Sequence, residues 1–215
     1  LGLVYEGFFQ FHFESLRIPS VLGRIGLAWM LAAILYCHTG KKTQWGVAAG
    51  ILIGYFLLLK LVVAPDAPAG ADSLSKEGNI AFYIDRLLLP DNIYKPGVYD
   101  PEGILSTIPA VVTAMLGMFT GRYVKESPAT GERKTLNMLA AAIVMAIVAV
   151  VWAHWFPVIK KLWTSTFVLA CGAWSIGLFA VFYYLIDVKG WRKGTVFFQV
   201  VGMNSITIYL AQAFI

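Results

Sequence analysis

The sequence predicts an all-α protein, a polytopic bundle of transmembrane helices. Hydrophobic residues make up 59% of the 215 residues and charged residues only 13%, with a mean hydropathy of +0.71. A soluble domain carries about a quarter charged residues, so this composition argues against a soluble fold. The apolar residues form long runs without strict alternation, which favours helices of about 20 residues over barrel strands of about 10 residues.

Six apolar runs are predicted to cross the membrane, and the connections between them carry almost all of the charge. The predicted spans are residues 18–37, 45–64, 104–121, 136–156, 163–186 and 195–215. Because the chain begins at Leu1 rather than Met and stops at Ile215 within an apolar run, we expect it to be part of a larger bundle. Cys37 and Cys171 fall in spans near opposite faces, so no disulfide is expected between them.

The charges in the connections predict the orientation of the bundle. Residues 65–103 hold seven acids and three bases, whereas residues 121–135 hold four bases and two acids. Since Lys and Arg are retained on the cytoplasmic side, the first loop is predicted to face outward and the second to face the cytoplasm. Residues 1–17 are then predicted to be an outward-facing interfacial segment, and residues 18–215 one transmembrane domain. Within the outward loop, residues 79–89 are compatible with a short surface helix.

The stretch VYDPEGIL places two carboxylates at the predicted outer start of the third span. Asp100 is a good N-cap residue, Pro101 suits the first position of a helix, and Glu102 opposes the positive end of the helix dipole. Helix initiation by itself accounts for the motif. Both carboxylates also lie at the outer mouth of the predicted bundle, so binding of a substrate by them stays open.

Two bases lie within the predicted spans, Lys60 about four residues from its helix end and Arg24 six residues from its helix start, about 9 Å along the helix axis. A cation at that depth is costly and usually faces the interior of the bundle with a partner. The predicted spans contain no Asp or Glu. We therefore expect its partner to be a carbonyl group, a residue outside this chain or an anionic ligand.

Two further polar stretches are candidates for binding. Asn204, in GMNSITIYL, lies near the middle of the sixth predicted span, where an amide usually bonds to a neighbouring helix. The stretch KKLWTSTF combines two ammonium groups, an interfacial tryptophan and several hydroxyls at an outer helix start. Its candidate residues are Lys160, Lys161, Trp163, Thr164 and Ser165. Interfacial placement explains the tryptophan and helix capping explains Thr164, whereas the two lysines are suited to a phosphate or a carboxylate.

No motif in the sequence identifies a catalytic centre by itself. His12 and His154 are predicted to face outward and His38 inward, and a histidine can act as a base near neutral pH. The sequence has no G-x-S-x-G motif, no phosphate-binding loop and no metal-spaced cluster of His and Cys, so we expect no metal cofactor.

Five stretches resemble the family of heparan-α-glucosaminide N-acetyltransferase and its bacterial relatives, and they occur in the family's order. They are LRIPSVLGRIGLAW, YDPEGILSTIPAVVTAMLGMFTGR, PVIKKLWTSTFV, YYLIDVKGWRKGTVFF and VGMNSITIYL, from Leu16 onward. The resemblance implies a bundle of about eleven spans, of which this chain supplies six. It implies transfer of an acetyl group from acetyl-CoA to an amino sugar or glycan on the extracytoplasmic side. The family's catalytic histidine lies upstream of the matched region, so no residue of this chain inherits that role.

On this resemblance, the polar residues at the outer face are assigned to substrate or acyl-CoA binding. A thioester acyl transfer needs an amine nucleophile, a base and donors that stabilise the oxyanion. Positioning of the thioester or sugar is assigned to Arg24, Asn204, Thr164 and Ser165. Binding of sugar hydroxyls or an ammonium group is assigned to Asp100 and Glu102. Binding of the anionic groups of CoA is assigned to Lys160 and Lys161, next to Trp163.

Two other functions stay open from the sequence. A sugar or solute transporter is disfavoured because no inverted repeat and no intramembrane acid for ion coupling is visible. A catalytically inactive subunit of a larger membrane assembly is permitted by two departures from the family pattern, Ile159 in place of Asn and Gly23 in place of Gln. The expected partners are the lipid bilayer and a small sugar or glycan, without nucleic acid, and a homo-oligomer is possible. The expected location is a bacterial inner membrane.

Overall fold

The computed structural model describes Gly2 and residues 17–89, 94 and 99–211. The described residues form eight α-helices, which are α1 (Val21–His38), α2 (Lys41–Leu61), α3 (Ile80–Leu88), α4 (Ile104–Glu126), α5 (Gly131–Ala153), α6 (Ser165–Tyr183), α7 (Thr195–Met203) and α8 (Ser205–Ala211). Five helices are long and apolar enough to cross a membrane, α6 with the π-helical turn Tyr184–Val188 that continues it. The prediction of a helical multi-pass membrane protein is confirmed. The predicted interfacial segment, residues 1–17, lies almost entirely outside the described residues.

The connections between the long helices gather at two opposite ends of the bundle. The described residues of 62–103, the start of α1 and residues 154–164 meet at one end, which we call the acidic-loop end. Contacts such as Tyr55 Oη to Leu162 O at 2.6 Å join α2 to the last of these segments. At the other end, the basic-loop end, Lys41 pairs with Glu126 and Arg122 Nη1 donates to Gln44 Oε1. This grouping agrees with the predicted alternation of the loops, and the side of the membrane that each end faces stays a prediction.

The core of the bundle lies where α1 and α2 cross α4 and α6. Small residues on α1, Ala28 and Ala32, are buried against Val112 and Met115 of α4. Small side chains let helix backbones approach closely, and in a membrane this packing replaces the hydrophobic effect as the driving force for association. The helix α5 pairs mainly with α6. The close α1–α4 contact is the one that positions the candidate site.

The short helix α3 confirms the surface helix expected within residues 79–89. Asn79 caps it by accepting the N–H of Ala81 at 2.9 Å, and its Nδ2 donates to Ser73 O at 2.8 Å. One face of the helix, including Phe82 and Asp85, is completely or almost completely buried on the bundle. An amphipathic helix is therefore fixed across the acidic-loop end.

The sixth predicted span differs from the structure, because residues 195–211 form two short helices rather than one continuous helix. Asn204 separates α7 from α8 with φ −103° and ψ 7°, and its side-chain Nδ2 donates to Val200 O at 2.8 Å. An Asn side chain that bonds to nearby backbone competes with the helical hydrogen bonds, which is a physical reason for the interruption. Residues 212–215, the end of that predicted span, lie outside the described residues.

Candidate functional site

The two carboxylates of the DPEG stretch converge on Arg17, which lies just before α1. Arg17 Nε and Nη2 donate to the two carboxylate oxygens of Asp100 at 3.0 and 2.8 Å, and Nη2 also contacts Glu102 Oε2. Asp100 has no exposed surface, and it also accepts the backbone N–H of Tyr94 and of Glu102. Burial lowers the pKa of Arg17, but the bonds and charges of Asp100 and Glu102 outweigh it and raise that pKa above its ordinary value. The guanidinium is therefore permanently charged.

The role of Asp100 as N-cap of the third span, and of Pro101 as its first residue, is wrong. The helix α4 begins at Ile104 and its N-cap is Gly103, which has no side chain to accept a bond. Asp100 instead accepts the N–H of Glu102 at 2.8 Å within its own loop and binds Arg17. An ion pair with a guanidinium stabilises the carboxylate more than a single capping hydrogen bond does. The carboxylate therefore turns away from the helix.

Arg24, on the first turn of α1, follows Arg17 in the chain and is 5% exposed. Its Nη2 contacts Ser106 Oγ and donates to Gly103 O at 3.5 Å, and its guanidinium carbon lies 4.8 Å from the centre of the Trp163 ring. The expected carbonyl partner is thus confirmed, together with a hydroxyl and an aromatic face. Arg24 Nε has no hydrogen-bond partner among the described residues. That nitrogen is itself buried, so its unmade hydrogen bond adds to the cost of burying this cation.

The Trp163 ring is fixed in place by two features of its local structure. Its backbone adopts φ 50° and ψ 46°, the left-handed region that residues with a side chain rarely occupy, directly after the 3₁₀ turn Lys160–Leu162. Its indole Nε1 donates to Thr113 Oγ1 on α4 at 3.3 Å. Such strained residues persist where the surrounding structure determines them, and they concentrate at functional sites.

A cavity of about 570 Å³ lies between α1 and α4 beside this arginine. Its walls are mainly aliphatic, from Leu27, Leu31 and Ile108 among others. Polar groups border it, including Arg24, Glu102 and Thr107. A mostly apolar cleft with a few polar side chains has the composition that small-molecule sites share. Of the predicted site residues, Arg24 and Glu102 line this cavity. Trp163 packs on Arg24, and Asp100 is connected to Glu102 through Arg17.

The buried carboxylate of Asp85, on α3, caps α4 from outside the helix. Its Oδ1 accepts the N–H of Ile104 at 2.8 Å, whereas Oδ2 has no hydrogen-bond partner among the residues that the structure describes. A side chain on Gly103 would put its Cβ 1.7 Å from that Oδ2, so only glycine fits. Burial raises the pKa of Asp85 to about 7.

The two lysines of the KKLWTSTF stretch lie in the 3₁₀ turn at the acidic-loop end and are exposed. Lys161 Nζ lies 3.2 Å from the hydroxyl of Tyr99 and 5.1 Å from the centre of its ring. Lys76 also lies over that ring, at 5.4 Å. The structure therefore groups Lys161 with Tyr99 and Lys76. Binding of an anionic group by Lys160 and Lys161 stays a prediction.

The hydroxyls of Thr164 and Ser165 serve the backbone. Thr164 Oγ1 caps α6 by accepting the N–H of Phe167 at 3.4 Å and accepts that of Ile159 at 3.0 Å, which confirms the capping alternative. Ser165 Oγ donates to Leu52 O at 2.6 Å and is fully buried. These bonds fix the start of α6 against α2. A binding role for either hydroxyl stays a prediction.

Asn204 and the described histidines are not among the residues that line the cavity. Asn204 is exposed and bonds to Val200 O rather than to a neighbouring helix among the described residues. His154 is exposed and its Nδ1 lies 3.1 Å from Val150 O, while His38 lies at the basic-loop end. His12 lies outside the described residues. In the part of the chain that the structure describes, no group of three or more His, Cys, Asp or Glu residues could hold a metal ion.

Sequence reasoning missed Arg17, Asp85 and Ser106 as parts of this cluster. A signal existed for Arg17, since one arginine precedes the first span while two acids precede the third. Asp85 gave a weaker signal, as an acid on the apolar side of the short helix FYIDRLL. Ser106 gave none, because a serine in the first turn of a helix is ordinary.

Two relatives are similar to this chain, and both are named heparan-α-glucosaminide N-acetyltransferase. The protein from Homo sapiens is 30% identical and that from Mus musculus 29% identical, each over an alignment of 245 residues that covers 92% of this chain. The chain resembles the heparan-α-glucosaminide N-acetyltransferase family. It spans 37% of the length of these relatives. No family model matches the chain. The family resemblance expected from the five stretches is confirmed.

Proposed function

We propose that the protein to which this chain belongs is a transmembrane N-acetyltransferase. It moves an acetyl group from acetyl-CoA to the amine of an amino sugar or glycan on the extracytoplasmic side, and the acidic-loop end faces that side. The similarity to two proteins named N-acetyltransferases supports the reaction class. In the reaction the amine attacks the thioester carbonyl, an amide C–N bond forms, the C–S bond breaks, and CoA leaves as the thiol after the amine's proton is removed.

The observation that carries a binding role for this chain is the environment of Arg24. Its guanidinium is buried and is held by Ser106, Gly103 O and the Trp163 ring, and Arg24 is one of the residues that line the cavity. A preorganised donor in a site with little water stabilises developing negative charge strongly. We assign Arg24 to an oxygen of the acyl donor, and the Glu102 carboxylate, which also lines the cavity, to an ammonium or hydroxyl group of the acceptor.

The test compares Arg24→Leu with Arg122→Leu in the full-length protein. Arg122 is a matched control because it also lies over aromatic rings, those of Tyr36 at 5.2 Å and Phe119 at 5.4 Å, but at the basic-loop end. Loss of one preorganised donor lowers kcat about 100-fold or more, so Arg24→Leu should lower acetyl transfer to glucosamine by that factor. Arg122→Leu should retain transfer. Equal losses in the two variants, or full transfer by Arg24→Leu, would refute the assignment.

The same preparation separates the proposed reaction from the two alternatives. In vesicles, a transporter would move labelled glucosamine without acetyl-CoA and without forming an acetylated product. An inactive subunit would neither bind acetyl-CoA nor form the product on its own. Formation of N-acetylglucosamine that depends on acetyl-CoA supports the transferase.

A further inference from the structure

The first turn of α4 is held by a side chain from another helix. Asp85, on α3, is fully buried and its Oδ1 accepts the N–H of Ile104 at 2.8 Å. The N-cap residue itself is Gly103, which offers no side-chain acceptor. The unpaired N–H groups of a first helical turn need acceptors, and the carboxylate of Asp85 supplies one across the helix–helix interface.

The residue that Asp85 fixes is the one on which Arg24 rests. The carbonyl oxygen of Gly103 accepts from Arg24 Nη2 at 3.5 Å, from Ser106 Oγ at 3.1 Å and from Thr107 Oγ1 at 2.9 Å. On its other side, the Cα of Gly103 packs so closely on Asp85 that a Cβ would lie 1.7 Å from Oδ2. Gly103 is therefore enclosed between the carboxylate of one helix and the guanidinium of another.

We infer that Asp85 is a positioning residue, which holds Gly103 and Ile104 so that the Arg24 guanidinium and the Ser106 hydroxyl keep their places beside the cavity. The inference rests on the proposed function only where activity is measured. Displacement of a reacting group by about 1 Å can lower a rate about 100-fold. Loss of a positioning residue can therefore lower the rate as much as loss of a residue that binds the substrate.

The charge around Asp85 gives this role a measurable signature. The titratable groups that face it are Arg24 on α1, Tyr55 on α2, Asp100 before α4 and Arg86 next to it on α3. Burial raises the pKa of the carboxyl to about 7 and the charge of Asp100 acts in the same direction, whereas the Ile104 N–H bond and the charges of Arg24 and Arg86 lower it. A proton on Oδ2 leaves Oδ1 able to accept from Ile104. The cap therefore survives protonation, and only the negative charge near Arg24 is lost as the pH falls through about 7.

Linkage fixes the sign of the effect on stability. An acid whose pKa is higher in the folded state binds more protons folded than unfolded. Its contribution to the free energy of unfolding is therefore largest below its unfolded pKa of about 4. That contribution is lost as the pH rises through the folded pKa of about 7. The wild-type protein should become less stable over this range. Asp85→Asn, which keeps an acceptor and carries no charge, should lack this decline.

The experiment uses the full-length protein with Asp85→Ala, Asp85→Asn and, as control, Asp66→Asn, an exposed acid of the same loop. Three quantities are measured, namely amide hydrogen exchange of the first turn of α4, acetyl transfer to glucosamine against pH, and the unfolding temperature against pH. Asp85→Ala should speed exchange at that turn about fivefold, the ratio expected from loss of an average cap, and lower transfer by up to about 100-fold. Asp85→Asn should restore slow exchange and most of the transfer. Its unfolding temperature and its transfer should lack the change with pH that the wild type shows up to about pH 7.

Three results would overturn the inference. These are wild-type exchange at α4 in Asp85→Ala, failure of Asp85→Asn to restore it, or the same effects in Asp66→Asn. If Asp85→Ala does not fold, Asp85→Asn still decides through its pH dependence. Absence of acetyl transfer by the wild type would refute the proposed function, and hydrogen exchange and the unfolding profile would then decide the role of Asp85 without it.

Discussion

Asp100→Asn is a sensitive probe of the ion pair at the mouth of the cavity, because it changes one oxygen to nitrogen at almost constant volume. Each carboxylate oxygen of Asp100 accepts two bonds, Oδ1 from Arg17 Nη2 and the Glu102 N–H, and Oδ2 from Arg17 Nε and the Tyr94 N–H. An amide has one acceptor oxygen. Whichever way it is turned, its NH₂ group faces two donors, so the substitution removes the charge and two hydrogen bonds together.

The size of the effect follows from the burial of the pair. Asp100 has no exposed side-chain surface and Arg17 is 19% exposed. Breaking a buried ion pair costs about 3–5 kcal/mol, and Arg17 keeps its contact with Glu102, which places this case near the lower limit. For a chain of this size, about 3 kcal/mol lowers the unfolding temperature by about 6–12 °C.

Thermal unfolding in detergent, followed by tryptophan fluorescence, measures this loss. Asp66→Asn is the matched control, since Asp66 pairs with Arg86 at 2.9 Å but is 49% exposed. A pair so exposed contributes at most about 1 kcal/mol, so its loss should lower the unfolding temperature by less than about 4 °C. If Asp100 were a helix cap, Asn would replace it almost without cost. A shift for Asp100→Asn no larger than that of the control would refute the ion-pair reasoning and restore the cap.

Two further predictions concern the glycine contact and the orientation. Gly103→Ala should destabilise the protein much more than Gly121→Ala, in unfolding temperatures measured side by side, because its Cβ would overlap the Asp85 carboxylate whereas Gly121 has open space. Similar values for the two would contradict the close contact. In a cysteine-free background, an impermeant maleimide applied to intact cells should label Glu77→Cys, at an exposed position of the acidic-loop end, and leave Pro128→Cys, exposed at the basic-loop end, unlabelled. The reverse pattern would invert the proposed topology.

The sequence by itself determined the class of the protein and most of its helices. Five apolar runs became five long helices, since a run of that length without charges can satisfy its backbone inside a membrane only as a helix. The short helix α3 was visible in the pattern of residues 79–89, and the depth of Arg24 indicated that it would need a partner. The five family stretches predicted the resemblance that the two relatives confirm.

The tertiary structure decided which polar groups meet. Local propensity made Asp100 a convincing N-cap, yet its charge found a stronger partner in Arg17, 83 residues away in the chain. The cap of α4 came instead from Asp85, 19 residues before it and on another helix. Pairing over such distances depends on how α1, α3 and α4 pack, which short-range patterns do not encode. Within a bundle, a few strong charge-assisted bonds outweigh local preferences of about 1 kcal/mol. The packing of the helices therefore determines which residues form the site, whereas the local sequence determines the spans.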